Sequence, residues 1–372
     1  MRNRLAGLAA GVAIALVLLT PVPSAGQAAK AAPKAYTPPR TPDGHPDLQG
    51  TYDLATITPL ERLPGLNAVL TKEQATNLEQ YEARRKAKDD ATLQGDRQAP
   101  PVGGDKTPAK SYLEVLERLG GGAVGGYNQF WLDSGSQYTV VDGQIRSSIV
   151  VDPPDGRVPP YTAAARKRLA AGRATPTSDA QESQAAGLDP PGAYDDPERR
   201  PLSERCLLGF GSTSGPPALP DYFYDNLHQI VQTKDSIMIL TEMVHDARII
   251  RMNAQHLPKT IRKWLGDSVG HWEGDTLVVD TTNFTDKTRF HEATENLHVV
   301  ERFSRVDGQR LLYRFTIDDP ETWDRPWTGE YTWPATEKPI YEYACHEANY
   351  ALGDVLRGAR LREAEEAEKA NK

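Results

Sequence analysis

Between residues 228 and 346 apolar and polar positions alternate in short runs separated by turn residues, the pattern of hairpin-linked strands. Ile230-Val231-Gln232 and Ile237-Met238-Ile239-Leu240 flank Lys234-Asp235, and residues 245–252 continue through Arg248-Ile249-Ile250. Residues 269–272 and 276–281 surround Glu273-Gly274-Asp275, and residues 298–306 and 310–317 surround Asp307-Gly308. Residues 330–333 and 340–345 close the series. No helical period intervenes, so the pattern predicts an antiparallel meander, closed into a barrel or left as a half-open sheet.

Upstream, turn chemistry from Arg40 to Gly50 leads into a short strand at Gly50-Thr51-Tyr52. Thr71 and Gln74 have capping-box spacing, with Ala75, Leu78 and Tyr81 following at helical intervals. Ser111 and Glu114 predict a second short helix, stopped by Gly120-Gly121-Gly122. Strands are expected at 130–132, 138–141 and 145–151, the last halted by Asp152-Pro153-Pro154. Residues 163–205 are rich in Ala, Pro and charge and predict one short helix at 163–171, then irregular chain. The fold class is therefore mainly β, with short N-terminal helices and long loops. One domain is expected over 41–359, with a flexible lead-in at 29–40 and a charged, frayed helical tail at 360–372.

The N-terminus changes the picture. Arg2 and Arg4 precede an apolar run over 5–19, then Pro21, Pro23 and the small residues Ser24, Ala25, Gly26 and Ala28. That order is a secretory signal peptide over 1–28, cut after Ala28 or, second, after Gly26. A membrane anchor is the competing reading, but a span needs roughly 20 apolar residues and the prolines end this run early. The expected location is secreted or periplasmic, with no integral membrane segment once the leader is removed. Setting aside Arg2 and Arg4 leaves 41 of the 43 basic residues against 51 acidic ones, a balance of −10. Such a chain is no general nucleic-acid binder, which needs clustered cations. Cys206 and Cys345 are a disulfide candidate in an oxidising compartment, the alternative being two separate buried thiols.

Alternation also sorts side chains to faces. Leu297, Val299, Glu301 and Phe303 share one face; Leu311, Tyr313, Phe315 and Ile317 share another. Glu301 is thus a carboxylate among apolar neighbours, and Glu242 and Asp280 each follow an apolar run. A buried carboxylate is costly unless paired. The plain reading is a salt bridge to Arg248, Arg302 or Arg314. The functional one is a polar floor inside a cavity, where desolvation moves a carboxyl into the acid–base range. His245, His271, His291 and His298 lie in the same half. Catalytic candidates are Glu301, His298, Glu242, His245 and Asp280; candidate ligand contacts are Arg302, Arg248, Tyr127, Trp131 and His271. The aromatic residues could equally be core. No H-x-H, H-E-x-x-H or Cys-x-x-Cys occurs, so no metal and no cofactor are implied. The glycine-rich stretches at 120–126 and 209–215 fit neither a phosphate loop nor a nucleophile elbow.

Several stretches carry a resemblance: Arg40-Thr41-Pro42-Asp43-Gly44, the run 55–62, Gly126-Tyr127-Asn128-Gln129-Phe130-Trp131, the run 151–157, the run 270–281 and Val300-Glu301-Arg302-Phe303. By these the chain resembles a family of uncharacterised exported bacterial proteins. The resemblance implies export and brings no activity with it. More loosely, Gly50-Thr51-Tyr52 ahead of a meander resembles the Gly-x-Trp opening of lipocalin-like barrels, with Tyr in place of Trp. That implies a cavity for a small, partly apolar ligand, at the level of fold alone. The leading expectation is a small-molecule-binding barrel. The alternative is a hydrolase, lyase or isomerase using a His–carboxylate pair in the same cavity.

Overall fold

The structure is a computed structural model that describes residues 36–89, 133, 135–172, 192, 194–209, 215–220, 225–286, 290–347 and 349–372. The expected leader, most of the lead-in, the helix predicted near 111, and Tyr127 and Trp131 lie outside the described residues.

In chain order the elements begin with β1 (Gly50–Asp53), β2 (Val69–Leu70), α1 (Lys72–Asp89), β3 (Val140–Val141), β4 (Gln144–Arg146), β5 (Val150–Asp152) and α2 (Ala163–Gly172). Then follow β6 (Leu227–Gln232), β7 (Ser236–Thr241), β8 (Ala247–Met252), β9 (Asp267–Glu273), β10 (Thr276–Thr282), β11 (His298–Arg305), β12 (Arg310–Asp318), β13 (Trp327–Thr336) and α3 (Tyr350–Ala370).

Strands β6 to β13 pair in sequence order, and β1 joins the two ends by pairing with both β6 and β13. The result is a closed barrel of nine strands. The β-rich fold class read from the pattern is what the chain adopts. One pairing departs from a pure meander: β8 and β9 run parallel. Parallel neighbours need a crossover of a dozen or more residues, and residues 253–266 supply it across the outside of the barrel.

The sorting of faces holds in β11 and β12, where Val299, Glu301, Phe303, Leu311, Tyr313, Phe315 and Ile317 are fully buried. These residues point inward, and β13 adds Trp327, Tyr331 and Trp333 from the same side. The rings interlock: Tyr313 lies 4.7 Å from Trp333 and 4.9 Å from Phe303, centroid to centroid. Each such side chain contributes about 1.5–3 kcal/mol by leaving water. Gly329 makes room for this packing, because a Cβ there would sit 2.3 Å from the Phe315 ring.

The outer face of β13 is buried as well. A small sheet, ordered β2-β4-β3, lies against it. The Thr139 hydroxyl meets that of Thr332 at 3.0 Å, and Arg146 pairs with Glu330 at 2.7 Å. Helix α1 opens with the expected reciprocal cap, Thr71 N–H to Gln74 Oε1 at 2.9 Å and Gln74 N–H to Thr71 Oγ1 at 3.1 Å.

Cys206 and Cys345 form a disulfide across a sequence separation of 139. One local expectation fails. Residues 340–345 form no strand; Tyr341 is exposed, and this stretch is held by the disulfide and by a bond from Tyr341 N–H to Glu242. Most of the charged 360–372 stretch is helical as the last turns of α3, whose cap Asn349 donates to the Glu204 carbonyl at 2.7 Å.

Candidate functional site

The five catalytic candidates fall in three places. Glu301, on β11, points into the barrel and meets Arg248 of β8, with Nη1–Oε2 at 2.5 Å and Nη2–Oε1 at 2.9 Å. Tyr313 donates its hydroxyl to Glu301 Oε1 at 2.9 Å. The Glu301 charge beside it and complete burial hold the Tyr313 phenol well above its ordinary range, burial being the larger cause. The Tyr313 oxygen in turn accepts the Ala218 N–H at 2.9 Å, and Tyr331 donates to the Ala218 carbonyl at 2.8 Å. The buried segment 215–218 is thus fastened to the inward hydroxyls through both polar groups of one residue.

Asp280 and His298 lie on the opposite, outer side of the same sheet. Asp280 Oδ2 is 2.8 Å from His298 Nε2, and Oδ1 is 2.8 Å from His256 Nε2. His256 Nδ1 reaches Asp267 Oδ2 at 3.2 Å, and the buried Asp267 also binds Arg251 at 2.9 Å and the Leu257 N–H at 2.9 Å. This relay pins the 253–266 crossover to β9 and β10. The hydrogen bond to Asp280 raises the His298 pKa above its ordinary 6.5 against the opposing effect of burial. Asp280 is held below the ordinary carboxylate value by its two histidines, which outweigh burial, the largest single influence on it.

Glu242 and His245 occupy the turn between β7 and β8. Glu242 accepts from Tyr341 N–H at 3.0 Å and Leu227 N–H at 3.4 Å. Burial raises its pKa despite those bonds. Nearby Asp225 is pushed up to about 6, by burial first and by the Glu242 charge second. His245 is exposed. Asp225, Val244 and His245 all have positive φ, 61°, 59° and 47°. For β-branched Val244 this is strained backbone, the sort that only well-determined surroundings hold.

Of the expected ligand contacts, Arg248 is engaged by Glu301. Arg302 and His271 lie on the exposed face, both bound to Glu273, at 2.7 and 3.2 Å. The structure therefore pairs Glu301 with Arg248 and Asp280 with His298, but gathers no single site from all five candidates.

The most informative interior group lies outside the ten candidate residues. His228 on β6 is 3% exposed and aligned with Tyr52 and Thr241 across its two neighbours. Its Nδ1 lies 3.3 Å from the Asn226 carbonyl, and its ring stacks at a tilt 5.5 Å from Trp333. Burial drives its pKa down to about 4. His228 Nε2, Trp333 Nε1, Trp327 Nε1 and Trp323 Nε1 are all buried without a hydrogen-bond partner among the described residues. Alternation over 227–232 carries the signal, since it places His228 on the face of Ile230, just as it places Glu301 on the face of Val299.

No group of three or more His, Cys, Asp or Glu side chains among the described residues is arranged to hold a metal ion. No described helix is long and apolar enough to cross a membrane. Fold and interior together define the class: a disulfide-bearing, nine-stranded mixed barrel with a polar pair sealed in an aromatic core. No protein-family model, curated protein or solved structure matches the chain.

Proposed function

We propose that this is an exported protein, secreted or periplasmic, whose barrel binds a small, partly apolar molecule. The signal-peptide pattern supports export, as does the Cys206–Cys345 bridge, which suits an oxidising compartment. The likeness of its motifs to exported bacterial proteins points the same way. One observation carries the binding reading: the ring nitrogens His228 Nε2 and Trp333 Nε1, like those of Trp323 and Trp327, lie buried in the aromatic core with no partner among the described residues. Leaving a buried polar group unpaired costs about 1–3 kcal/mol, so such groups ask for a partner that the described residues do not supply. Aromatic walls with a few placed polar groups are what small-molecule sites use.

A panel of small aromatic and aliphatic compounds, screened by thermal shift on the full exported protein, tests the reading. Several panel members should raise the melting temperature by a few degrees in a concentration-dependent way. A panel with no effect at saturating solubility overturns it.

A second reading rests on the 2.8 Å contact between Asp280 and His298, a carboxylate-oriented imidazole suited to proton transfer. It moves the His–carboxylate pair of the hydrolase, lyase or isomerase reading from the interior to the outer face. Screening ester, lactone and epimerisable substrates against the parent and His298→Gln decides it; activity that survives the substitution sinks this reading.

A further inference from the structure

Resting on the binding reading above, we infer that the ligand is electrically neutral and presents a hydroxyl group to His228 and Trp333. The hydrogen bond at Nδ1 sets the tautomer of His228. The Asn226 carbonyl can only accept, so the His228 Nδ1 beside it carries the proton, and Nε2 is left with a lone pair. The low pKa of this imidazole keeps it in that neutral form at ordinary pH. The Trp333 indole Nε1 can only donate. An unpartnered acceptor and an unpartnered donor therefore sit on rings 5.5 Å apart in a buried environment. A hydroxyl is the smallest organic group that donates and accepts through one atom, so its chemistry matches both.

Charge excludes the obvious competitor, a carboxylate. Both terminal nitrogens of Arg248 are engaged by Glu301. Arg305, on the same face of β11, gives its donors to the carbonyls of Asp47, Gln49 and Gly308 and to the Tyr52 hydroxyl. Asp53, which acts on His228 at a distance, is paired with Lys338. Arg248, Arg305 and Lys338 are thus already engaged by described residues, and an unpaired anionic charge is costly in such a place. A bare hydrocarbon would leave the two ring nitrogens as unsatisfied as they are now. Sites built to bond a hydroxyl discriminate strongly against the analogue that lacks it.

The test uses three probes of similar size on the full exported chain: phenol, toluene and benzoate, titrated by calorimetry. Phenol should bind at least about tenfold more tightly than toluene, and benzoate not measurably. In Trp333→Phe, which keeps the ring and removes the donor, phenol should fall to the affinity of toluene while toluene is unchanged. His228→Phe provides the same comparison from the acceptor side should Trp333→Phe not fold. Toluene equal to phenol, or benzoate the tightest, overturns the hydroxyl inference and leaves the binding reading standing. Heat from none of the three, with a negative panel, overturns both and leaves these nitrogens to an ordered water.

Discussion

Arg248 and Glu301 meet inside the barrel as a two-pronged ion pair, 53 residues apart in sequence and almost completely shielded from solvent. They project from β8 and β11, strands separated by β9 and β10, so the pair spans the interior. A buried pair contributes little net stability when intact, because desolvation offsets attraction, but removing one partner strands the other. Glu301→Gln should therefore cost about 3–5 kcal/mol. The double variant Arg248→Met/Glu301→Leu should recover most of that loss. Urea unfolding of the three proteins checks it; a single variant as stable as the parent would show that the pair is not closed.

The Cys206–Cys345 bridge ties the segment before β6 to the segment after β13. Closing a loop this long should contribute about 4–5 kcal/mol by restricting the unfolded chain. Cys206→Ser/Cys345→Ser should unfold at correspondingly lower denaturant. It should also match the parent measured in reductant, which separates the bond from the side chains.

His228 gives the fold an acid sensitivity whose sign is fixed by its depressed pKa. In the unfolded chain it takes up a proton near pH 6.5; in the barrel it resists until about pH 4. Stability should fall as pH drops across that interval, approaching a loss of about 3 kcal/mol at its lower end. His228→Phe should flatten the curve there. Stability measured by denaturant at half-unit steps reads the difference, and an unchanged slope in the variant contradicts the assignment.

Asp225 acts in the opposite direction. Its folded pKa of about 6 exceeds the ordinary 3.8, so its contribution to stability is lost as pH rises between those values. Asp225→Asn keeps a residue that tolerates the positive φ of 61° and removes the charge. Its melting temperature should exceed the parent's above pH 6, and the two should converge below pH 4.

Much of this was legible in the chain because strand alternation has a period of two. The inward rows of β11 and β12, with the anomalous Glu301 among them, follow from that alone, whereas alternation leaves Arg248, Arg302 and Arg314 all open as its partner and the structure selects Arg248. The parallel turn of β8 onto β9 did not, because a meander was assumed across the long 253–266 connection. Asp280 was grouped with Glu301 for following apolar residues, yet its register opposite Val269 and Val300 puts it on the outer face. Which carboxylates share a side depends on cross-strand register, and a single strand does not contain it. His256 went unnoticed for the same reason: it reaches Asp280 from the crossover rather than from a strand.

The central claim is that a small molecule enters the barrel beside Trp333, and the indole N–H signals in a ¹⁵N spectrum read it directly. Trp333, assigned through Trp333→Phe, is buried with its N–H unpartnered among the described residues, whereas Trp264 is exposed at 37% and serves as the internal control. On titration with phenol the Trp333 signal should move downfield as its N–H gains an acceptor, with Trp264 unmoved. A spectrum in which Trp264 shifts and Trp333 stays fixed places binding on the surface and contradicts the account.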